Sequence, residues 1–194
     1  MGFPLAVALL VILGSLLVVW ARTDREATSA PRLGNHWHSS YDIYVCDSYR
    51  SKILLETDPN GIHSHGDGLI HIHPFNKLAS GRDATLGEFF SAFGGRVDDT
   101  TLVLDTGEEL VEGADCGGEP MVLKVARFDA DDMERDPEIV TEDPAGVRFL
   151  THREAFTIAM VPADVAPPAP RPARPTFLRL VSPPPPPSTP PPPP

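Results

Sequence analysis

Basic residues are scarce in this chain: 16 Lys and Arg stand against 27 Asp and Glu in 194 residues, for a formal charge of -11 and a pI near 4.9. Phosphate backbones are gripped by clustered Lys and Arg, and no such cluster occurs, so a nucleic-acid partner is not expected. The acidity serves mainly to keep the protein soluble. Cysteine is scarcer still, with only Cys46 and Cys116. The chain has no Cys-x-x-Cys, no Gly-rich phosphate loop, no Gly-x-Ser-x-Gly elbow and no His-Glu-x-x-His, which lowers thiol-redox, nucleotide, esterase and metalloprotease readings. No internal repeat of useful length is present. The acidic "DADDMERDPE" lacks the glycine and spaced oxygens of a calcium loop and reads as a solvated loop. In an oxidising compartment Cys46 and Cys116 could form one disulfide; the alternative is two unpaired thiols, with Cys46 buried.

Both ends stand apart from the middle. Residues 3–20, "FPLAVALLVILGSLLVVW", run 18 positions without a charge, about what the hydrocarbon layer requires. This is a membrane anchor or a signal peptide, and the missing basic n-region favours an uncleaved anchor. The flanking Arg22, Asp24, Arg25 and Glu26 do not set an orientation. Export of the soluble part is the simpler picture, giving a single-pass cell-membrane protein with an extracytoplasmic domain. Residues 162–194 hold 16 of the 23 prolines and finish in two five-proline runs, so the end reads as an unpacked polyproline II tail. It is a spacer or disordered end, or a docking motif for a protein partner. The expected division is 1–21 anchor or signal, 22–34 stalk, 35–162 histidine-rich globular domain and 163–194 proline-rich disordered tail.

Within the domain, "YDIYVC" (41–46) and "GLIHIH" (68–73) alternate as strands. "ATLGEFFSAFGG" (84–95) predicts the main helix, with Thr85 as N-cap, Glu88 three residues later, Leu86, Phe89, Phe90 and Phe93 on one face, and Gly94-Gly95 to end it. "TLVLDTGEEL" predicts strand, turn and strand; "PMVLKVARF" and "AFTIAMVP" predict two more strands. The expected fold is α+β, a small β-grasp-like mixed sheet with one main helix across a face, preceded by the transmembrane helix and followed by the tail.

Six of the seven histidines fall in three His-x-His pairs: His36 and His38, His63 and His65, His71 and His73. Residues two apart on a strand share a face, with Cα atoms roughly 6.5–7 Å apart, so each pair sets two imidazoles side by side. Whether 63/65 and 71/73 cooperate depends on the turn. A two-residue Asp67-Gly68 loop sends the pairs to opposite faces. A three-residue Gly66-Asp67-Gly68 loop pairs His63 with His71 and puts all four on one face, and Gly68 suits the left-handed third position that this loop needs. In that register Ile70 and Ile72 point to a core on the other side. If His36 and His38 lie on a neighbouring strand, six imidazoles converge, and neutral imidazole suits zinc or copper. A pH-responsive cluster or a plain polar face are the alternatives. Asp67 is a turn residue that could also orient a ligand through its second ring nitrogen. His152 reads as a surface-loop residue outside the set.

At these residues the chain resembles an uncharacterised group of membrane-anchored bacterial and archaeal proteins. That group shows a His-x-His before a first strand, a "GIHTHGDG-x-IHIHP" or "LHTHD-x-x-GIIHIES" segment, and "TLG-x-FF". The matching positions are His36 and His38; residues 61–74, with Ser64 where the group often has Thr; and Thr85, Leu86, Gly87, Phe89 and Phe90. The later "EAFTIAMVP" also looks like the group's last strand. The resemblance implies an exported domain and a shared site, and supplies no reaction. The expected function is metal binding, of zinc or copper, for capture, delivery or sensing. An interaction module of the cell envelope is the first alternative. The second is a metal-dependent enzyme, for which Asp67 and Glu56 are the only nearby acid or base candidates in the sequence.

Overall fold

Aromatic and β-branched residues crowd the segment Trp37–Val45, and Tyr41, Ile43 and Val45 alternate into the core, so it forms a long first strand, β1. The computed structural model describes residues 2–27, 31–55 and 57–172. The other strands, in chain order, are β2 (Ser48–Tyr49), β3 (Ile62–His63), β4 (Leu69–Ile72), β5 (Arg96–Val97), β6 (Thr101–Val103), β7 (Glu109–Val111), β8 (Asp115–Cys116), β9 (Glu119–Asp129), β10 (Glu138–Val140) and β11 (Glu154–Pro162). Among the described residues two α-helices accompany them, α1 (Gly2–Ala27) and α2 (Leu86–Ala92).

The fold is α+β around a large mixed sheet. Its order is β10-β9-β11-β1-β4-β3, with β2 added to β1 and β8 to β9. β1 and β11 run parallel, with Tyr41 opposite Phe156 and Ile43 opposite Ile158. The other pairings in this sheet are antiparallel. A separate three-stranded sheet, β5-β6-β7, contains the hairpin expected from "TLVLDTGEEL". The main sheet is larger than the small sheet expected from the sequence, because β2, β3, β8 and β10 are only two or three residues long and too short to show alternation.

Helix α2 starts where its cap predicts: the Thr85 hydroxyl accepts the Glu88 N–H at 3.3 Å, and Leu86, Phe89 and Phe90 are fully buried. The Glu88 carboxylate instead accepts from Asn60 Nδ2 at 3.0 Å, tying the helix to the loop before β3. Gly94, at φ +75°, ends the helical turn by donating to Ser91 O. Cys46, just past β1, is disulfide-bonded to Cys116 on β8, with 5.5 Å between Cα atoms.

The folded part does not stop at the boundary expected at residue 162. Residues 163–172 lie against the sheet. Lys124 Nζ donates to the carbonyls of Pro162, Ala163 and Val165, Thr157 Oγ1 donates to Pro168 O, and the Tyr49 hydroxyl donates to Ala169 O. Arg171 then reaches the fully buried Asp42, with its backbone N–H at 2.8 Å and its guanidinium at 2.7 Å; Lys52 Nζ binds the same carboxylate at 2.9 Å. A buried carboxylate demands such partners, and the first residues of the expected tail supply one. The proline runs, residues 183–194, lie outside the described residues, as do residues 28–30 of the expected stalk.

The apolar run 3–20 lies within α1. Side chains in that helix are described for residue 4 and residues 7–21, and the large apolar ones among them are exposed. Among the described residues no helix is long and apolar enough to cross a membrane.

Candidate metal centre

The β3–β4 hairpin decides which way the histidines face. Ile62 is opposite Ile72 and His63 opposite His71, the register of the three-residue loop, with Gly66 at φ +72° and Gly68 at φ +88° in the turn. The Asp67 side chain closes that turn by accepting the Leu69 N–H at 2.9 Å. Ile62, Ile70 and Ile72 are fully buried in the core, which turns His63, His65, His71 and His73 to the opposite side. β1 pairs with β4 so that His38 is opposite His71, and this brings the first His-x-His alongside the other two.

Two features hold the segment tightly. Tyr41 accepts the Ile53 N–H at 2.7 Å, and its hydroxyl lies 3.2 Å from Ser64 Oγ, so the residue between His63 and His65 is tied into the core. Gly61, at φ +91°, donates its N–H to Asp58 Oδ1 at 2.6 Å and accepts the His73 N–H at 2.7 Å. A Cβ there would fall 2.6 Å from His73 O, so only glycine lets β3 and the end of β4 approach this closely.

The result is one continuous imidazole array. Ring centroids lie 4.7 Å apart for His36 and His38, 4.8 Å for His38 and His71, and 5.4 Å for His36 and His73. His63 is 4.6 Å from His65, 4.7 Å from His73 and stacked on His71 at 5.5 Å. Two sets of ligand atoms converge within 4.8 Å of one another: His36, His38 and His71, and Asp58, His63 and His73. Ligand atoms of a tetrahedral zinc at 2.0–2.1 Å are about 3.4 Å apart, so side-chain rotations that close the sets by about an ångström would complete either one. His65 flanks the second set, with its Nε2 3.0 Å from His63 Nε2. Asp67, the turn residue, also has its Oδ2 3.1 Å from His71 Nε2, within reach of that ring.

Protonation also suits metal binding. Burial, followed by the neighbouring His71, His36 and His152, pushes His38 down from 6.5 to about 4, against the pull of Asp67. Burial likewise lowers His63, where Asp58 opposes it, and His71, where the Asp67 hydrogen bond opposes it. Neutral imidazole is the ligating form, and these environments maintain it. His63 Nδ1 is buried and makes no hydrogen bond: Asp58 Oδ2 is 3.2 Å away but off the axis that an N–H would need. A buried ring nitrogen without a hydrogen-bond partner beside two other potential ligand atoms is open to a cation.

Two residues of this region were not anticipated. Asp58 lies in the "DPNG" turn before β3, and its only sequence signal is a carboxylate three residues ahead of a glycine that opens a His-x-His strand. His152 does sit in an exposed turn, yet its ring is 5.8 Å from that of His38, and its Nδ1 accepts the His38 N–H at 3.1 Å. The β1–β11 pairing brings it there, 114 residues away in sequence. Of the acid or base candidates, Asp67 lies at the array and Glu56 falls outside the described residues. No protein-family model, no curated protein and no solved structure matches the chain.

Proposed function

We propose that the chain is a membrane-tethered, extracytoplasmic domain that binds zinc or copper and captures, delivers or senses that metal. The reading rests on one observation: six histidines from three separate pairs present their rings on one face, with three ligand atoms within 4.8 Å at His36, His38 and His71. Burial keeps several of these rings neutral, the form that offers a lone pair to a metal, and a plain polar face gives no reason to gather them from three strands. The group that the histidine block resembles is taken as the family of this domain, through the same residues.

The fold is read as β-grasp-like, since the first and last long strands run parallel at the centre of the sheet and α2 lies between them in sequence. Tethering rests on the charge-free sequence of residues 3–20, and an extracytoplasmic position on the Cys46–Cys116 disulfide, since disulfides persist in oxidising compartments. The proline-rich end of the sequence is read as a spacer or a docking motif for a protein partner.

The test is the metal content of the full chain, purified in detergent without a polyhistidine tag and measured by plasma mass spectrometry. Zinc or copper near or above one equivalent per chain, lost in His71→Ala/His73→Ala, is expected. A chain that carries neither metal and takes up none when supplied would overturn the reading.

A further inference from the structure

We infer that Asp58, His63 and His73 form a second metal centre, distinct from the all-histidine set and selective for harder divalent cations. The inference rests on the metal-binding reading above and adds to it a ligand, a count and a preference.

Asp58 does not behave as a plain turn residue. One carboxylate oxygen, Oδ1, makes the turn by accepting the Gly61 N–H at 2.6 Å. The other, Oδ2, lies 3.2 Å from His63 Nδ1 and 3.4 Å from His73 Nε2, so one oxygen faces two imidazoles from two strands. The His63 side chain is 7 % exposed, and its Nδ1 has no hydrogen-bond partner. A carboxylate beside a neutral, hydrogen-bonded histidine would satisfy that nitrogen. A cation held between the three atoms would do so instead, through one bond to each.

The two sets differ in chemistry as well as place. Three imidazoles suit zinc and copper, whereas two imidazoles and a carboxylate in an open arrangement suit zinc, cobalt, iron or manganese in the divalent state. Asp58 adds a negative charge that the all-histidine set lacks, which raises affinity for compact divalent cations. His71 stacks on His63 at 5.5 Å, so the centres are neighbours, and ions in both would feel one another's charge.

Cobalt(II) is the probe, because its visible absorption reports each filled site. The full chain in detergent is titrated, and bound cobalt is counted by plasma mass spectrometry after gel filtration. Two equivalents are expected for the unaltered chain, one for Asp58→Asn and one for His36→Ala/His38→Ala, with different absorption spectra in the two variants. The combined variant should bind none. Asn keeps an oxygen for the Gly61 N–H, so D58N preserves the turn, and an unchanged melting profile of its metal-free form verifies folding. Two equivalents retained by folded D58N, or a single equivalent in the unaltered chain that only His36→Ala/His38→Ala removes, would overturn the second centre and leave the metal-binding reading standing. No cobalt, zinc or copper bound at all would overturn both.

Discussion

At the scale of single residues, the imidazole array depends on groups that bind no metal themselves. Gly61 occupies a left-handed conformation, and a methyl group added there meets His73 O at 2.6 Å. Gly61→Ala is expected to destabilise the domain by about 1–3 kcal/mol and to move His73, since backbone strain and a forced shift add together. Chemical denaturation and zinc titration of the variant check this: lower stability with at least tenfold weaker binding is the expected outcome. Acid sensitivity also originates at single side chains. His38 is held at about 4 against 6.5 when unfolded, with His63, His71 and His152 lowered in the same direction. Above pH 6.5 neither state of these groups binds the proton and their stability contribution is complete. As pH falls from 6.5 toward 4 the unfolded chain takes up protons that the folded chain refuses, and stability is lost. For His38 alone the loss is on the order of 3 kcal/mol. The melting temperature of the metal-free chain should therefore fall between pH 7 and pH 4, and fall less in His38→Asn. A melting temperature independent of pH across that window would count against this burial pattern.

At the scale of elements, the strap after β11 and the buried Asp42 stabilise one another. Asp42 is fully buried with Lys52 and Arg171 as its partners, and removing one cation leaves a carboxylate with incomplete compensation. A chain ending after residue 162 is expected to be about 3 kcal/mol less stable than one ending after residue 172. Urea denaturation of the two checks it; equal midpoints would mean that the strap contributes nothing. The hairpin and the helix were legible in the sequence because their signals are local: glycines at the turn, alternation in "GLIHIH", and a Thr cap before Leu86, Phe89 and Phe90. The loop register followed from Gly68, and with it the shared face of four histidines. What the sequence hid was long-range. Nothing near His152 announces that the β1–β11 pairing will set it against His38, and nothing near Arg171, in a proline-rich segment, announces a partner 129 residues earlier. Asp58 was overlooked because a "DPNG" turn explains an aspartate without a ligand role.

At the scale of the whole molecule, two faces of the main sheet serve different purposes. One holds the apolar core of Tyr41, Ile43, Ile70, Ile72, Phe156 and Ile158. On the β1–β4–β3 side the opposite face carries the histidines, while farther along β1 it is covered by the strap. Joining the first and last long strands at the centre couples the histidine edge to the rest of the fold, so metal bound across β1, β3 and β4 would stabilise the folded state by mass action. The formal charge of -11 adds a diffuse attraction for cations but no selectivity. Selectivity on this account resides in the imidazoles and, at the second set, in Asp58 as well. X-ray absorption at the metal edge of the zinc- or copper-loaded full chain tests that most directly. The account predicts first neighbours at about 2.0–2.1 Å that are nitrogen or oxygen, with the outer-shell scattering of imidazole rings. A hydrated ion with oxygen neighbours alone, or sulfur at about 2.3 Å, would contradict it.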